Sequence, residues 1–458
     1  MSIAAAALMF AACNEPLNDA AEVEIPQTGD ETDEVIVPDN GMIVLGEKLP
    51  NPYSLDNMRK AIEELNKSGL SKSVVSTDIK PTHYYMRFKP KNEAEVDKLD
   101  ADTTIFFYDY PLDYDIIQEG DYYHAPELPD SVPTYQYCAV EVGHKLPDVE
   151  HEILEELYIL EDVNVYENGE NKNENSISKH VRVDYWDELE TIAQSLVGYE
   201  VELSKKRKEW KPEGYIRYQD SEKGVIPMEG VPVHMRKNMF VGYQCCTDKK
   251  GYFSFSKIKA KVEFLIRWKR DNFKVKNTSS TAANVMLKKN TRSSIDITFN
   301  IGETQWRYAS AFRGAWYYYY GDIYPLSRPP KDMRIHIYDS NNDSTKQDVA
   351  HWGSFEPVGG SLNGTEITVY SKGLTSRDIF GVTIAQLGKS LIWAIYRSDN
   401  DFYNRGVDEN LKNAWACCCA EFLTNCYYWN KRNMTIKKKE DALRQTCKYQ
   451  EWLELTKN

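Results

Sequence analysis

Between Gly214 and about Asn277 the apolar residues change their spacing from a helical period to a period of about two. GYIRYQD, GVPVHMRKN, FVGYQCCTD, GYFSFSKI and KVEFLIRWKR are short, alternating and rich in aromatic and β-branched residues. Turn chemistry such as Asp248-Lys249-Lys250-Gly251 separates them. Segments of this kind bury one face each, so they must pair face to face, and the expectation is a small antiparallel β-sandwich over residues 210–278. Its alternation and turns agree with one another without help from neighbours, which predicts a unit that folds by itself.

On the N-terminal side the pattern mixes periods. Ser54 can cap a helix running to about Asn66, with Leu55, Met58, Ile62 and Leu65 on one face. HYYMRFKP then predicts a strand, NEAEVDKLDAD a helix, TTIFFYDYPL and TYQYCAVEV two strands, and EHEILEELYIL a helix. These elements define a small α+β domain over residues 46–165, followed by the polar loop ENGENKNENS and a connector helix over residues 184–205. Beyond the sandwich, residues 280–458 open with the β-like ANVMLKK and SIDITFNI, continue through MRIHIYD and WGSFEPVGGSLNGTEITVY, and end in helices. The fold class expected is therefore α+β and multi-domain, with a mixed α/β C-terminal part.

A chain of 458 residues has room for several such cores. Its formal net charge of −14 argues against nucleic acid as a partner, because phosphate binding draws on clustered Lys and Arg. The 31 tyrosines fit either packed β-rich domains or a surface that stacks on glycans. Tyr317 to Tyr320 raise that choice most sharply, as core packing or as a sugar-contacting stretch.

The first residues, MSIAAAALMFAACNEP, form an apolar run too short for a bilayer span of about 20 residues. Small residues just before Cys13 look like a bacterial lipobox, so residues 1–12 are expected to be a lipoprotein signal peptide and Cys13 the lipid attachment site. Residues 13–45 are acidic and poor in aromatics, as a tether would be. Cys417, Cys418 and Cys419 point about 100° apart around a helix, so together they cannot chelate one metal and are expected to be small packing residues. A disulfide between helices, such as Cys426 to Cys447, is left open.

Near the C-terminus, Thr375 and Asp378 form a T-x-x-D capping pattern, so a helix should start near Ser376. Its core stripe is Phe380, Ile384, Leu387, Leu391 and Ile395. A zinc-protease helix carries H-E-x-x-H because histidines at i and i+4 share a face and can hold one ion, while the Glu activates bound water. The corresponding run here, A-Q-L-G-K, places Ala385, Gln386 and Lys389 in those slots.

The frame around it, IFGVTIAQLGKSLIWAI, resembles the "IFG-T-I-HELGH-S-W" pattern of zincin-like lipoproteins from Gram-negative bacteria. RGAWYYYYGDIYPLSRPP, SFEPVGGSL and ENLKNAWACCCAEFLT resemble the same family, the last corresponding to its "KESWA" helix with Asn413 at the position of the third ligand, a Glu. The middle segment, GYIRYQD with PMEGVPVHM and TDKKGYFSF, resembles the carboxypeptidase regulatory-like, transthyretin-like domain that such proteins carry. The resemblance implies a cell-envelope lipoprotein of the outer membrane, held through Cys13, with a zincin-like C-terminal domain. With no ligand residue in any slot, it implies no catalysis, no cofactor, and a binding role toward peptide or protein. The alternatives are an active zinc metallopeptidase with ligands imported from His336 or His351 or from cysteines and carboxylates, or a structural or glycan-binding surface protein. The Lys389 ammonium is expected either to fill the former metal space beside an acid such as Glu421 or to snorkel to solvent.

Overall fold

A computed structural model describes residues 42–69, 71, 73–167, 185–201, 208–276, 282–339, 353–357, 365–396, 409–428 and 443. Among them the fold is mixed α/β, with six helices and five sheets. Cys13, the tether up to residue 41, His351 and Cys447 lie outside the described residues, and with Cys447 goes the disulfide left open above.

The N-terminal unit starts with β1 (Val44–Lys48) and α1 (Leu55–Ser68). Ser54 caps α1 by accepting from the Asn57 backbone N–H at 3.4 Å; Met58, Ile62 and Leu65 are buried as the spacing predicts, Ala61 is buried beside them, and Leu55 is half-buried. β2 (His83–Phe88) and α2 (Glu93–Ala101) follow, then β3 (Tyr114–Gln118) and β4 (Gln136–Glu141). TTIFFYDYPL is not a strand: it makes a single bridge, Tyr108 to Tyr137, and buries Phe106, Phe107, Tyr108 and Tyr110 from an irregular backbone. EHEILEELYIL is not a helix either. Its first part is β5 (His151–Leu157), an edge strand antiparallel to β2. Good helix formers such as Glu and Leu yield there to the unsatisfied ladder of β2.

β6 (Asn164–Tyr166) and α3 (Trp186–Leu196) complete this unit. The predicted connector is thus a packed element: Trp186, Leu189 and Ala193 join the core that α1 faces.

The sandwich is built from β7 (Glu213–Asp220), β8 (Gly224–Pro227), β9 (Pro232–Arg236), β10 (Gly242–Cys246), β11 (Tyr252–Ser254) and β12 (Val262–Arg267). The Asp248 turn forms as its chemistry requires, with the carboxylate accepting from the Lys250 and Tyr252 N–H groups and Gly251 at φ 73°. After β12 the chain leaves the sandwich for β13 (Lys269–Arg270) and β14 (Phe273–Lys276), which pair with later strands. It then returns as β15 (Asn284–Thr291) and β16 (Ile295–Phe299). One sheet runs β15-β12-β9-β10-β6, and the other β11-β7-β16 with β8 on β7.

Three expectations are corrected by this. The unit does not end at 278, since ANVMLKK and SIDITFNI supply two of its strands. It is not purely antiparallel, because β6 joins β10 and β16 joins β7 in parallel. Nor does it have a private core, since Phe264 and Ile297 belong to the same buried cluster as the C-terminal helices. Alternation reveals that a segment is a strand, but not which sheet it enters. A fragment of residues 212–277 is accordingly expected to remain unfolded, without the sigmoidal denaturation of the whole chain. A cooperative β-type transition in that fragment, followed by circular dichroism, would contradict the interleaved topology.

The C-terminal unit comprises α4 (Thr304–Tyr320), β17 (Met333–Tyr338), β18 (Gly353–Pro357), β19 (Thr365–Tyr370), α5 (Ser376–Tyr396) and α6 (Glu409–Tyr428). Its sheet runs β13-β14-β17-β19-β18; β14, β17 and β19 are parallel, and β18 is an antiparallel edge. One face, Val275, Met333, Ile335, Ile367 and Val369, is buried in the same cluster as the helices. Parallel strands are usually apolar on both faces. Here the alternate residues are Lys274, Lys276, Arg334, His336 and Glu366, and α2 of the N-terminal unit covers much of that face with Glu93, Asp97 and Asp100.

Candidate functional site

α5 starts where its capping pattern places it. The Thr375 N–H and hydroxyl both donate to Asp378 Oδ2, at 3.0 and 2.6 Å, and the Asp378 N–H donates back to Thr375 Oγ1 at 3.2 Å. Ser376 Oγ also accepts from the Ser221 N–H at 2.8 Å, tying the helix start to the turn after β7.

Small residues set how closely α5 is held. A Cβ added at Gly314 of α4 would lie 3.0 Å from the Phe380 carbonyl oxygen and 3.1 Å from Thr383 Cβ. On the other flank, one added at Gly388 would meet Cys419 Cβ at 3.3 Å, and one at Gly381 would meet Thr424 Oγ1 at 3.5 Å. α5 and α6 therefore run antiparallel with 388 beside 416–419 and 381 beside 424. Phe380, Ile384, Leu387 and Leu391 are buried as expected, but so is every residue from Gly381 to Trp393. The helix is enclosed all round rather than along one stripe.

The four slots fall as follows. At about 100° per residue, Ala385 and Lys389 lie just beyond the α6 seam, away from α4, with Gln386 further round. Ala385 and Gln386 have no exposed surface, and Lys389 is 8% exposed. Lys389 is thus largely buried, with a small part of the residue still at the surface. Asn413 is on α6, three residues before Ala416, so the packing register sets it opposite α5 about one turn past Lys389. Its Oδ1 is buried without a hydrogen-bond partner among the described residues.

Metal-ligating chemistry is sparse here. Among the described residues no three His, Cys, Asp or Glu side chains are gathered as a metal site. His336 cannot be imported to the slots, because strand alternation puts it on the α2 face, opposite the helices, where Nε2 contacts Glu366 Oε1 at 2.5 Å. Burial pushes the Glu366 carboxyl upward, but His336, Lys276 and Arg334 outweigh burial and hold it below its usual range. Of the two readings open for Tyr317 to Tyr320, core packing holds for three: Tyr317, Tyr318 and Tyr319 are buried, Tyr319 stacks on Phe273 with ring centroids 5.5 Å apart, and Tyr320 is half-buried.

One cluster escaped the sequence reading. Arg313 of α4 is buried with Nη1 3.1 Å from Asp220 Oδ2, and its guanidinium lies 4.3 Å from the Tyr218 ring centroid and 5.3 Å from that of Tyr427. Tyr428 donates to the same Asp220 oxygen at 2.9 Å. Burial pushes the Asp220 carboxyl up, but Arg313 and the surrounding donors hold it below the ordinary carboxylate value. This hub joins the sandwich to α4 and α6. The hint in the sequence was Arg313 set among the small and aromatic residues of the second half of α4.

With this geometry in view, the chain matches no family model, no curated protein and no solved structure. No helix among the described residues is long and apolar enough to cross a membrane.

Proposed function

We propose that the protein is a cell-envelope lipoprotein of the outer membrane, anchored at Cys13, whose C-terminal unit is a zincin-like scaffold without metal that binds an extended peptide or protein segment. The observation that supports this most is the position of β18. It is an antiparallel edge of a mixed sheet, next to the parallel strands β14, β17 and β19; α5 packs against it, and its outer side pairs with no other described strand. An extended peptide can add to such an edge through backbone hydrogen bonds.

The slot residues support binding rather than hydrolysis. Ala385 offers no ligand atom, and Gln386 cannot take a proton near neutral pH. The Lys389 ammonium opposes a divalent cation electrostatically. Wild-type protein is expected to hold no stoichiometric zinc by elemental analysis and calorimetry. Ala385→His, Lys389→His and Asn413→Glu together are expected to create a three-ligand site with measurable zinc affinity, weaker than a native site because groups that would orient the ligands are missing. Tight zinc in the wild type would overturn the metal-free reading. No gain in the folded triple variant would overturn the placement of Asn413 opposite the slots.

A further inference from the structure

A cavity of about 700 Å³ lies where the N-terminal unit, α3 and the sandwich meet. It exists only in the assembled chain, since Tyr53 and Tyr114 come from the first unit, Gln194 and Tyr199 from α3 and the turn after it, and Asn290 and Arg292 from β15 and the loop beyond. Its size is within the range of small-molecule sites, about 300–1,000 Å³, and junctions between units are where such sites concentrate.

The buried charges in its wall are held by partners, while Asp115, Glu200 and Lys261 of the lining are exposed to solvent. Lys237 lies 2.7 Å from Glu161 and 3.2 Å from Glu190, and Glu190 also accepts from the Tyr53 hydroxyl at 2.7 Å and Asn238 Nδ2 at 3.0 Å. Arg236 Nε donates to Glu263 at 2.9 Å, Lys289 pairs with Glu119, and Arg292 Nη2 donates to the Lys259 carbonyl at 2.8 Å. An ionic ligand would have to break these pairs. Carboxylates and guanidinium groups nevertheless keep further lone pairs and N–H directions after pairing, held in fixed planes that match neighbouring hydroxyls. Tyr114 and Tyr199 are half-buried at the rim, and the Tyr199 hydroxyl is fixed by donation to the Pro50 carbonyl at 3.0 Å. Held rings of this kind offer an apolar face beside polar groups.

We propose that this junction cavity is a binding site for a neutral, hydroxyl-rich ligand of the oligosaccharide class. The site is distinct from α5 and independent of the peptide-binding reading. It also relocates sugar contact from the buried tyrosines of α4 to Tyr114 and Tyr199.

Calorimetry on the whole protein with neutral tetrasaccharides of glucose (β-1,4 and α-1,4), xylose, mannose and N-acetylglucosamine tests it, with an oligogalacturonide as the anionic control. At least one neutral sugar is expected to bind saturably, and Tyr199→Ala to weaken it by about tenfold, or about 1.4 kcal/mol. Asn290→Gly keeps the left-handed backbone, φ 49°, while deleting the amide, and should weaken binding by about threefold. If Tyr199→Ala loses its fold, Asn290→Gly decides alone. No saturable binding at millimolar sugar, binding by the anionic control alone, or parental affinity in the folded variants would overturn the proposal.

Discussion

Arg313→Met is expected to destabilise the protein by about 3–5 kcal/mol, the usual consequence of removing one partner of a buried ion pair. Asp220 has no exposed side-chain surface and would be left buried without its cation. It keeps the Glu222 and Lys223 N–H groups and the Tyr428 hydroxyl, which places the loss toward the lower end of that range. The methionine fills part of the volume between Tyr218 and Tyr427 but brings no charge to their ring faces. Arg313→Lys should recover little, because an ammonium cannot reproduce the planar stack. Urea denaturation followed by tyrosine and tryptophan fluorescence measures the change. A midpoint within error of the parent would mean that the hub contributes nothing to holding α4 against the sandwich.

Asp97→Ala should cost about 3 kcal/mol for the same physical reason at another place. Asp97 pairs with Arg334 and lies 3.3 Å from Lys274, cations that are 2% and 6% exposed in their side chains. Asp100 and Glu93 still cover them in part, at 2.8 Å from Lys274 and 3.3 Å from Arg334. Replacing Asp97 by Leu together with Arg334→Met should restore part of the loss, since an apolar pair needs no counter-charge.

Acid tests the interface as a whole. Burial raises the Asp100 carboxyl, but Lys269 and Lys274 outweigh it and hold it well below its ordinary range. A carboxylate depressed in the folded state contributes its full stability above its unfolded value of about 4, and loses it as pH falls through the folded value. Asp220 and Glu366 are depressed as well. These carboxylates should therefore leave stability unchanged from neutral pH to about 5 and lower it steadily below about 4. His234, whose burial holds its ring well below the usual range, lowers it separately from about pH 6.5 downward as the unfolded ring takes up its proton. A flat profile down to pH 2 would show that neither the Asp100 and Glu366 contacts on the α2-covered face nor the Arg313–Asp220 hub contributes to stability.

Local chemistry was legible in the sequence. Ser54, Thr375 with Asp378, and the Asp248 turn all act through atoms a few residues apart, and each forms as its residue types dictate. What the sequence concealed depends on distant partners. The chain EHEILEELYIL has helical composition and becomes β5 because β2 offers it a ladder. Lys274 and Lys276 look like an exposed strand face until Glu93, Asp97 and Asp100 of α2 are set against them. The acidic spacing at 93, 97 and 100 and the alternating cations at 274 and 276 were both visible, but nothing in either pattern names the other. At the slots, helix and cap could be anticipated. Burial of Gln386 and Lys389 could not, because it depends on partners distant in sequence.

The departure of the chain from the sandwich at β13 and β14 also governs how it can be made. During synthesis β12 emerges before β15, its neighbour in the sheet, and β14 emerges about 60 residues ahead of β17. A nascent chain halted at residue 299 would carry every sandwich strand, yet Phe273 and Val275 would still await the strand and helices that bury them. The apolar face of that hairpin, Phe273 and Val275, is surface that a chaperone could meet before the C-terminal unit is made. Neither half can be secured ahead of the other, so a protease that nicks the finished chain in one half should loosen both.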